Sequence, residues 1–123
     1  MNSKELSFEV VGAAIEVHKV LGPGMLESAY QECLAFELES RGIHVSREVL
    51  LPIMYKAHKV NKAYRLDLLV ENTIIIETKT VEELTDVHLA QIITYLKFGG
   101  KSLGYLMNFR VSKMIDGIRR VIL

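Results

Sequence analysis

An α/β domain of order ααβββαββ is what this sequence predicts, on three observations. Apolar residues recur at helical spacing through residues 6–41, and from residue 45 the period becomes that of strands. Ile74-Ile75-Ile76 is an unbroken apolar run. Such a run suits a central strand covered on both faces, because a strand with one wet face alternates.

The elements follow in order. Over 6–21, Phe8, Val11 and Ile15 form one apolar row and Val10, Ala14, Val17 and Leu21 another, until Gly22-Pro23-Gly24 breaks the helix. A second helix, 25–41, carries Leu26, Tyr30, Cys33 and Leu34 on one side and stops at Gly42. The pair is expected to form a helical hairpin. Strands are expected over 45–55, 63–70 and 74–79, with Pro52 making the first an edge strand or breaking it. The helical period returns over 82–98, with Thr85 or Asp86 as cap, Leu89, Ile92, Ile93 and Leu96 as the buried face, and Gly99-Gly100 as the stop. Strands over 102–109 and 118–123 complete the chain, the second after an Asp116-Gly117 turn. No repeat or linker interrupts it, so a single domain spanning 1–123 is expected.

The composition is 50% hydrophobic and 24% charged, which fits a globular protein rather than a disordered one. No apolar stretch reaches the ~18 to 20 residues that a membrane span needs. The start, Met1-Asn2-Ser3-Lys4-Glu5, lacks the layout of a signal peptide. Cys33 is the single cysteine, so no internal disulfide and no cysteine metal site is expected, and a reducing cytoplasm is the expected compartment. Zero net charge argues against a protein that coats nucleic acid. The charge is nonetheless uneven. Residues 1–40 hold two basic and seven acidic side chains, whereas residues 41–65 hold Arg41, Arg47, Lys56, Lys59, Lys62 and Arg65 against Glu48 alone. That surplus can face phosphates, and it reads equally well as a strand edge protected by lysines.

The chemistry lies just beyond it. Asp67 ends Tyr64-Arg65-Leu66-Asp67, and ten residues later Glu77-Thr78-Lys79 closes the isoleucine run. Two carboxylates and an ammonium set in hydrophobic strands are costly to bury without partners. A divalent cation held by the carboxylates, with the lysine beside it, removes that cost and can activate water against a phosphodiester. Hard carboxylate oxygens suit Mg²⁺ or Mn²⁺. Glu77 and Lys79 share a strand face, ~6 to 7 Å apart at the backbone. Asp67 joins them only if the loop is Glu71-Asn72-Thr73, which pairs Val70 with Ile74. A two-residue turn at Asn72-Thr73 would send it to the opposite face unless a bulge intervened. The longer turn is expected, with Asn72 or Thr73 in an unusual backbone conformation.

The following helix adds Gln91 and Tyr95, an i, i+4 pair that can orient a phosphate or a water, or simply bond along the core margin, with His88 one turn before. Glu27, in the first turn of the second helix, reads either as a carboxylate favoured by the helix dipole or as a further ligand reaching the Asp67/Glu77 cluster, with Tyr30 at i+3. Other candidates are weaker. His18, His44, His58 and His88 lack the paired spacing of a zinc site, and His18 is expected as a hydrogen-bonded residue between the first two helices. Gly22-Pro23-Gly24 is no phosphate loop, and Ser28 lacks the spacing of a hydrolase elbow.

Asp67, Glu77-x-Lys79 and Gln91-x-x-x-Tyr95 resemble the PD-(D/E)xK nuclease superfamily with a RecB-type QxxxY motif. Gly24-Met25-Leu26-Glu27-Ser28-Ala29-Tyr30 resembles the signature of the GxxExxY family within it, as do Val17 to Gly24 and Met107-Asn108-Phe109. The match covers nearly the whole chain, and Leu66 stands where the superfamily name has proline, a position that supplies no ligand. The resemblance implies a restriction-endonuclease-like fold, a central mixed β-sheet flanked by helices, and Mg²⁺- or Mn²⁺-dependent phosphodiester hydrolysis. By position it makes Asp67, Glu77, the Thr78 carbonyl and Glu27 metal ligands, and Lys79 the residue that places or activates water. Gln91 and Tyr95 would hold water or substrate, and beside the resemblance Tyr30 and Arg65 are expected as further substrate contacts. The implied partner is nucleic acid, DNA first, and a homodimer is a possible assembly. Two alternatives stand beside this reading: a catalytically silent nucleic-acid-binding module, and a subunit whose acidic helical hairpin binds another protein.

Overall fold

Asn2 and Glu5 begin the first helix by capping each other. The Asn2 side chain accepts from the Glu5 N–H at 2.8 Å, and the Glu5 carboxylate accepts from the Asn2 N–H at 3.2 Å. The computed structural model describes residues Met1–Leu123, and in it helix α1 is Ser3–Leu21. It starts earlier than the apolar spacing alone indicates. Its buried side is Leu6, Val10, Ala13, Ala14 and Val17, the row through Val10. Of the row through Phe8, Val11 and Ile15, only Val11 packs against the core, from a partly buried position; Phe8 is 76% and Ile15 42% exposed, because only one side of α1 packs on the rest of the chain.

Helix α2, Glu27–Ser40, buries Tyr30, Gln31, Leu34, Ala35 and Leu38, and Leu26 lies exposed at its cap. The two helices pack as the expected hairpin. Arg41 ties them, donating to Glu37 at 2.8 Å and to Glu9 at 3.3 Å. Gly12 makes room, since a Cβ there would sit 3.0 Å from the Arg41 guanidinium.

Strand β1, Val45–Leu51, stops just before Pro52, and the expected 45–55 strand is split there. The chain then makes a separate small hairpin of β2, Met54–Tyr55, and β3, His58–Lys59, which the sequence pattern did not reveal. Strands β4, Tyr64–Val70, and β5, Ile74–Lys79, precede helix α3, Asp86–Gly99. Strand β6, Leu103–Asn108, a 3-10 turn at Met114–Gly117 and strand β7, Ile118–Ile122, finish the fold.

The five-stranded sheet runs β1-β4-β5-β6-β7. The β5/β6 pair is parallel and the others antiparallel, so the sheet is mixed. Helix α3 is the crossover that a parallel pair requires. Central strand β5 explains the isoleucine run. Ile74 and Ile76 pack toward α1 and α2, Ile75 packs toward α3, and all three are fully buried. On α3, Ile92 and Leu96 are buried, whereas Ile93, expected with them, is 38% exposed.

Helix α3 begins at Asp86 rather than at 82, and Asn108 supplies the reason. Its buried amide donates to the Val81 carbonyl at 2.9 Å and accepts from the Val81 N–H at 3.1 Å, which holds the chain after β5 in an extended path. Gly117 sits against that clamp: a Cβ there would lie 2.1 Å from the Asn108 carbonyl oxygen. No helix is long and apolar enough to cross a membrane.

Candidate active site

The turn between β4 and β5 is the longer one. Val70 pairs with Ile74, Leu69 with Ile75 and Leu68 with Ile76 around Glu71-Asn72-Thr73. Two turn residues adopt left-handed backbone, Asn72 at φ 52° and Glu71 at φ 50°, whereas Thr73 does not. This register continues to Asp67 opposite Glu77, but the backbone ladder stops one pair short. From there the carboxylates replace it. The Asp67 N–H donates to Glu77 Oε2 at 2.8 Å, and the Thr78 N–H donates to Asp67 Oδ2 at 2.9 Å. Each strand thus reaches the other through an acidic side chain. The Thr78 hydroxyl adds a second donor to Asp67 Oδ2 at 3.1 Å. Asp67 Oδ1 and Glu77 Oε1 are left without a hydrogen bond inside the protein. Because the N–H and C=O of one strand residue point to the same side, the Thr78 carbonyl also faces this opening.

Electrostatics mark the same place. Glu77 is 3% exposed, and its pKa is pushed up to about 8, first by burial and then by the Asp67 charge. Asp67 is raised by burial, against the pull of its two Thr78 hydrogen bonds and of Lys79. Glu27 at the start of α2 is raised by partial burial and by Asp67, while Lys79 and the Thr80 backbone draw it down. Three acidic groups from three elements therefore feel one another's charge. Their oxygens are not drawn into a closed cage: nowhere do three or more Asp, Glu, His or Cys converge closely enough to hold a metal by themselves.

Lys79 projects from β5 and donates to Gln91 Oε1 at 3.0 Å. It pairs with neither carboxylate, since both ion pairs in the molecule belong to Arg41. Tyr95, one turn after Gln91, is nearly buried. Its hydroxyl is raised by burial and by the charges of Glu77 and Asp67, with the Gln91 amide opposing. The structure therefore gathers Asp67, Glu77, Thr78, Lys79, Gln91, Tyr95 and Glu27. Arg65 is exposed on β4, two residues before Asp67.

Tyr30 is not brought to this opening as a substrate contact. It is fully buried, its ring stacks on Phe109 with centroids 4.4 Å apart, and its hydroxyl donates to the Gly22 carbonyl while accepting from the Met25 N–H at 3.0 Å. It braces the Gly22-Pro23-Gly24 break that leads into Glu27. His88 accepts from the Thr85 N–H at 3.0 Å and belongs to the α3 cap. His18 bonds the Val111 carbonyl at 2.8 Å, tying α1 to the segment after β6 rather than to α2.

Two residues of the site went unread in the sequence. Gln31, buried on α2, donates to Glu48 at 3.0 Å and to the Asp67 carbonyl at 3.2 Å. Glu48 lies in β1 opposite Asp67, between the pairs Arg47–Leu68 and Val49–Leu66, and has φ 51°. Both strands change the face they present at this point. Val45 and Leu68 belong to the core under α1 and α2, whereas Val49, Leu51 and Leu66 pack on the α3 side. No residue is inserted, so this is a twist at one position rather than a bulge. The available signals were an amide within the apolar stripe of α2 and a lone acid in a basic segment.

Helices on both faces of this mixed sheet make a restriction-endonuclease-like α/β fold. A model of the PD-(D/E)XK nuclease superfamily matches residues 4–121, and the chain belongs to that superfamily. No curated protein and no solved structure matches the chain. The donor chemistry fits a divalent metal of the kind these nucleases typically use. Two carboxylates with uncommitted oxygens and the Thr78 carbonyl that faces them form a hard, all-oxygen set, and a cation there would lower the carboxylate pKa values that burial raises.

Proposed function

We propose that this protein hydrolyses phosphodiester bonds in nucleic acid, DNA first, with Mg²⁺ or Mn²⁺ held by Asp67, Glu77, the Thr78 carbonyl and Glu27. The observation that carries this reading is the parting of β4 and β5. There a buried carboxylate, Glu77, and a half-buried one, Asp67, each spend one oxygen on the opposite strand's backbone, and a lysine that makes no ion pair stands on the same face. When bound, a divalent cation supplies the Lewis acidity and charge neutralisation that attack on a phosphodiester needs.

The chain's own groups do the rest. The Asp67 and Thr78 N–H groups fix the carboxylate oxygens before substrate arrives, so little reorganisation remains. Lys79 places the attacking water and offsets negative charge growing on the phosphoryl oxygens, and Gln91 holds its ammonium for that task. The Tyr95 hydroxyl, which burial keeps protonated, donates to substrate or water. Arg65 meets a phosphate beside the centre. Gly24, Glu27 and Tyr30 match the GxxExxY pattern and Gln91 with Tyr95 the QxxxY element, so we place the chain in that family. Glu27 then serves the metal, and Tyr30 holds the loop that presents it. The reaction is placed in the cytoplasm, as the lone thiol of Cys33 suits a reducing compartment.

The test is cleavage of labelled single- and double-stranded DNA in Mg²⁺, in Mn²⁺ and in EDTA, beside Glu77→Ala and Lys79→Ala. Cleavage should require metal and fall by at least ~100-fold in both variants. Binding without cleavage under any condition would leave a silent nucleic-acid-binding module. A chain that neither binds nor cuts would be a protein-interaction subunit.

A further inference from the structure

We propose that the β2–β3 hairpin is an arm that grips single-stranded nucleic acid beside the carboxylate centre. The position of the arm relative to a cut rests on the nuclease reading; the binding itself does not.

Pro52 ends β1 and sends the chain out of the main sheet, where Met54 pairs with Lys59 and Tyr55 with His58. Residues 54–59 and 61–65 are all exposed. A hairpin of two-residue strands with no buried face adds nothing to a core, so packing does not account for its composition. That composition is one-sided. Lys56, Lys59, Lys62 and Arg65 occur with no acidic residue between Val49 and Leu66, and none of the four makes an ion pair.

Tyr55 supplies the second part of the argument. Its ring is 65% exposed, and the Lys56 ammonium lies 5.4 Å from the ring centroid. Lys56 opens the two-residue turn at φ 54°, a conformation that favours glycine, so a long cationic side chain is carried at the tip at a backbone cost. Cations without carboxylate partners around an exposed aromatic ring, one face of which Lys56 covers, are what a strand of phosphates with unstacked bases can use at once. A duplex can satisfy the cations but not the ring, because its base faces are already stacked. Strand β4 then leads from Tyr64 and Arg65 directly to Asp67, so a strand held on the arm lies alongside the carboxylates. The acidic helices of a second copy are the competing occupant, with seven acids against two bases in residues 1–40.

The experiment uses the full chain in EDTA. A labelled oligothymidylate and a duplex of equal length are titrated by anisotropy from about 50 to 200 mM salt, the range over which phosphate contacts are lost most visibly. The variants are Tyr55→Ala and the triple change Lys56→Gln, Lys59→Gln, Lys62→Gln. The triple variant should lose about tenfold or more in single-strand affinity at low salt, and its log-log salt slope should be shallower by about 2, near 0.7 per lost contact. Tyr55→Ala should lose about tenfold on the single strand and far less on the duplex. Unaltered affinity and slope in the triple variant would overturn the proposal, as would equal losses on both substrates in Tyr55→Ala. Self-association that the triple variant abolishes, with DNA affinity unchanged, would assign the arm to a second copy instead. Failure of the nuclease reading shows separately: in Mn²⁺ the unaltered chain and Glu77→Ala would cut equally or not at all, whatever the binding in EDTA.

Discussion

The two ends of the β4–β5 pair do different work with the same two strands. Near the Glu71-Asn72-Thr73 turn they form an ordinary ladder, with Leu68, Val70, Ile74, Ile75 and Ile76 fully buried. One pair further on, the ladder opens and the carboxylates of Asp67 and Glu77 take over its hydrogen bonds. The apolar end gains from burial, at about 25 cal/mol per Å² of apolar surface. The acidic end loses by it, since the carboxylates are raised by the same desolvation. The site is therefore held together by the neighbouring hydrophobic ladder, and its own strain is what a cation would relieve.

That contrast can be broken most strongly from the apolar end. Leu68→Ala should cost ~3 kcal/mol in denaturant unfolding, because Leu68 has no exposed surface and the cavity cannot fully collapse. A loss near zero would mean that the ladder does not carry the site.

At the acidic end the expected effect is one of sign. Folded Glu77 keeps its proton up to about 8, against an ordinary 4.5, so between these values the folded state binds more protons than the unfolded one. Stability without metal should therefore fall as pH rises through that window. Glu77→Gln should flatten the profile while abolishing cleavage. A metal-free melting temperature that rises with pH across the window would contradict the assignment.

Gln31→Ala removes the donor shared by Glu48 and the Asp67 carbonyl, and ~1 to 2 kcal/mol should be lost. Its sharper signature is a larger loss in kcat than in KM, because Asp67 would be less well placed. A loss confined to stability would make Gln31 a plain core residue. The smallest effect belongs to Thr78→Val, which deletes one hydroxyl donor to Asp67 and keeps the N–H. About 1 kcal/mol or less is expected, with Asp67 raised further in a carboxylate titration by NMR.

How much of this was legible follows the same division. The isoleucine run and the turn length are local, so the central strand and the Asp67–Glu77 register could be read from residue order and parity. Lys79 and Gln91 are likewise a strand and helix apart in a simple βα unit. The face change at Glu48 could not be read, since a glutamate at positive φ is held there by tertiary contacts such as Gln31. Tyr30 misled because spacing gives a helix side but not depth, and Phe109 closes over it. Phe8 and Ile15 misled for the related reason that periodicity counts apolar rows without saying which one meets the sheet. The Asn2–Glu5 capping box was present as a signal, an asparagine with a glutamate three residues on, whereas the hairpin after Pro52 turns at Lys56-Ala57 without the glycine or asparagine that marks such turns.

The most direct test of the central claim is calorimetric titration of Mn²⁺ near neutral pH, in two buffers of different ionisation enthalpy, on the unaltered chain and on Glu77→Gln. If the raised carboxylate is a ligand, Mn²⁺ binds and releases protons from the unaltered chain. Glu77→Gln should bind weakly and release fewer. Absence of Mn²⁺ binding, or binding with the same affinity and proton count in both proteins, would contradict the account.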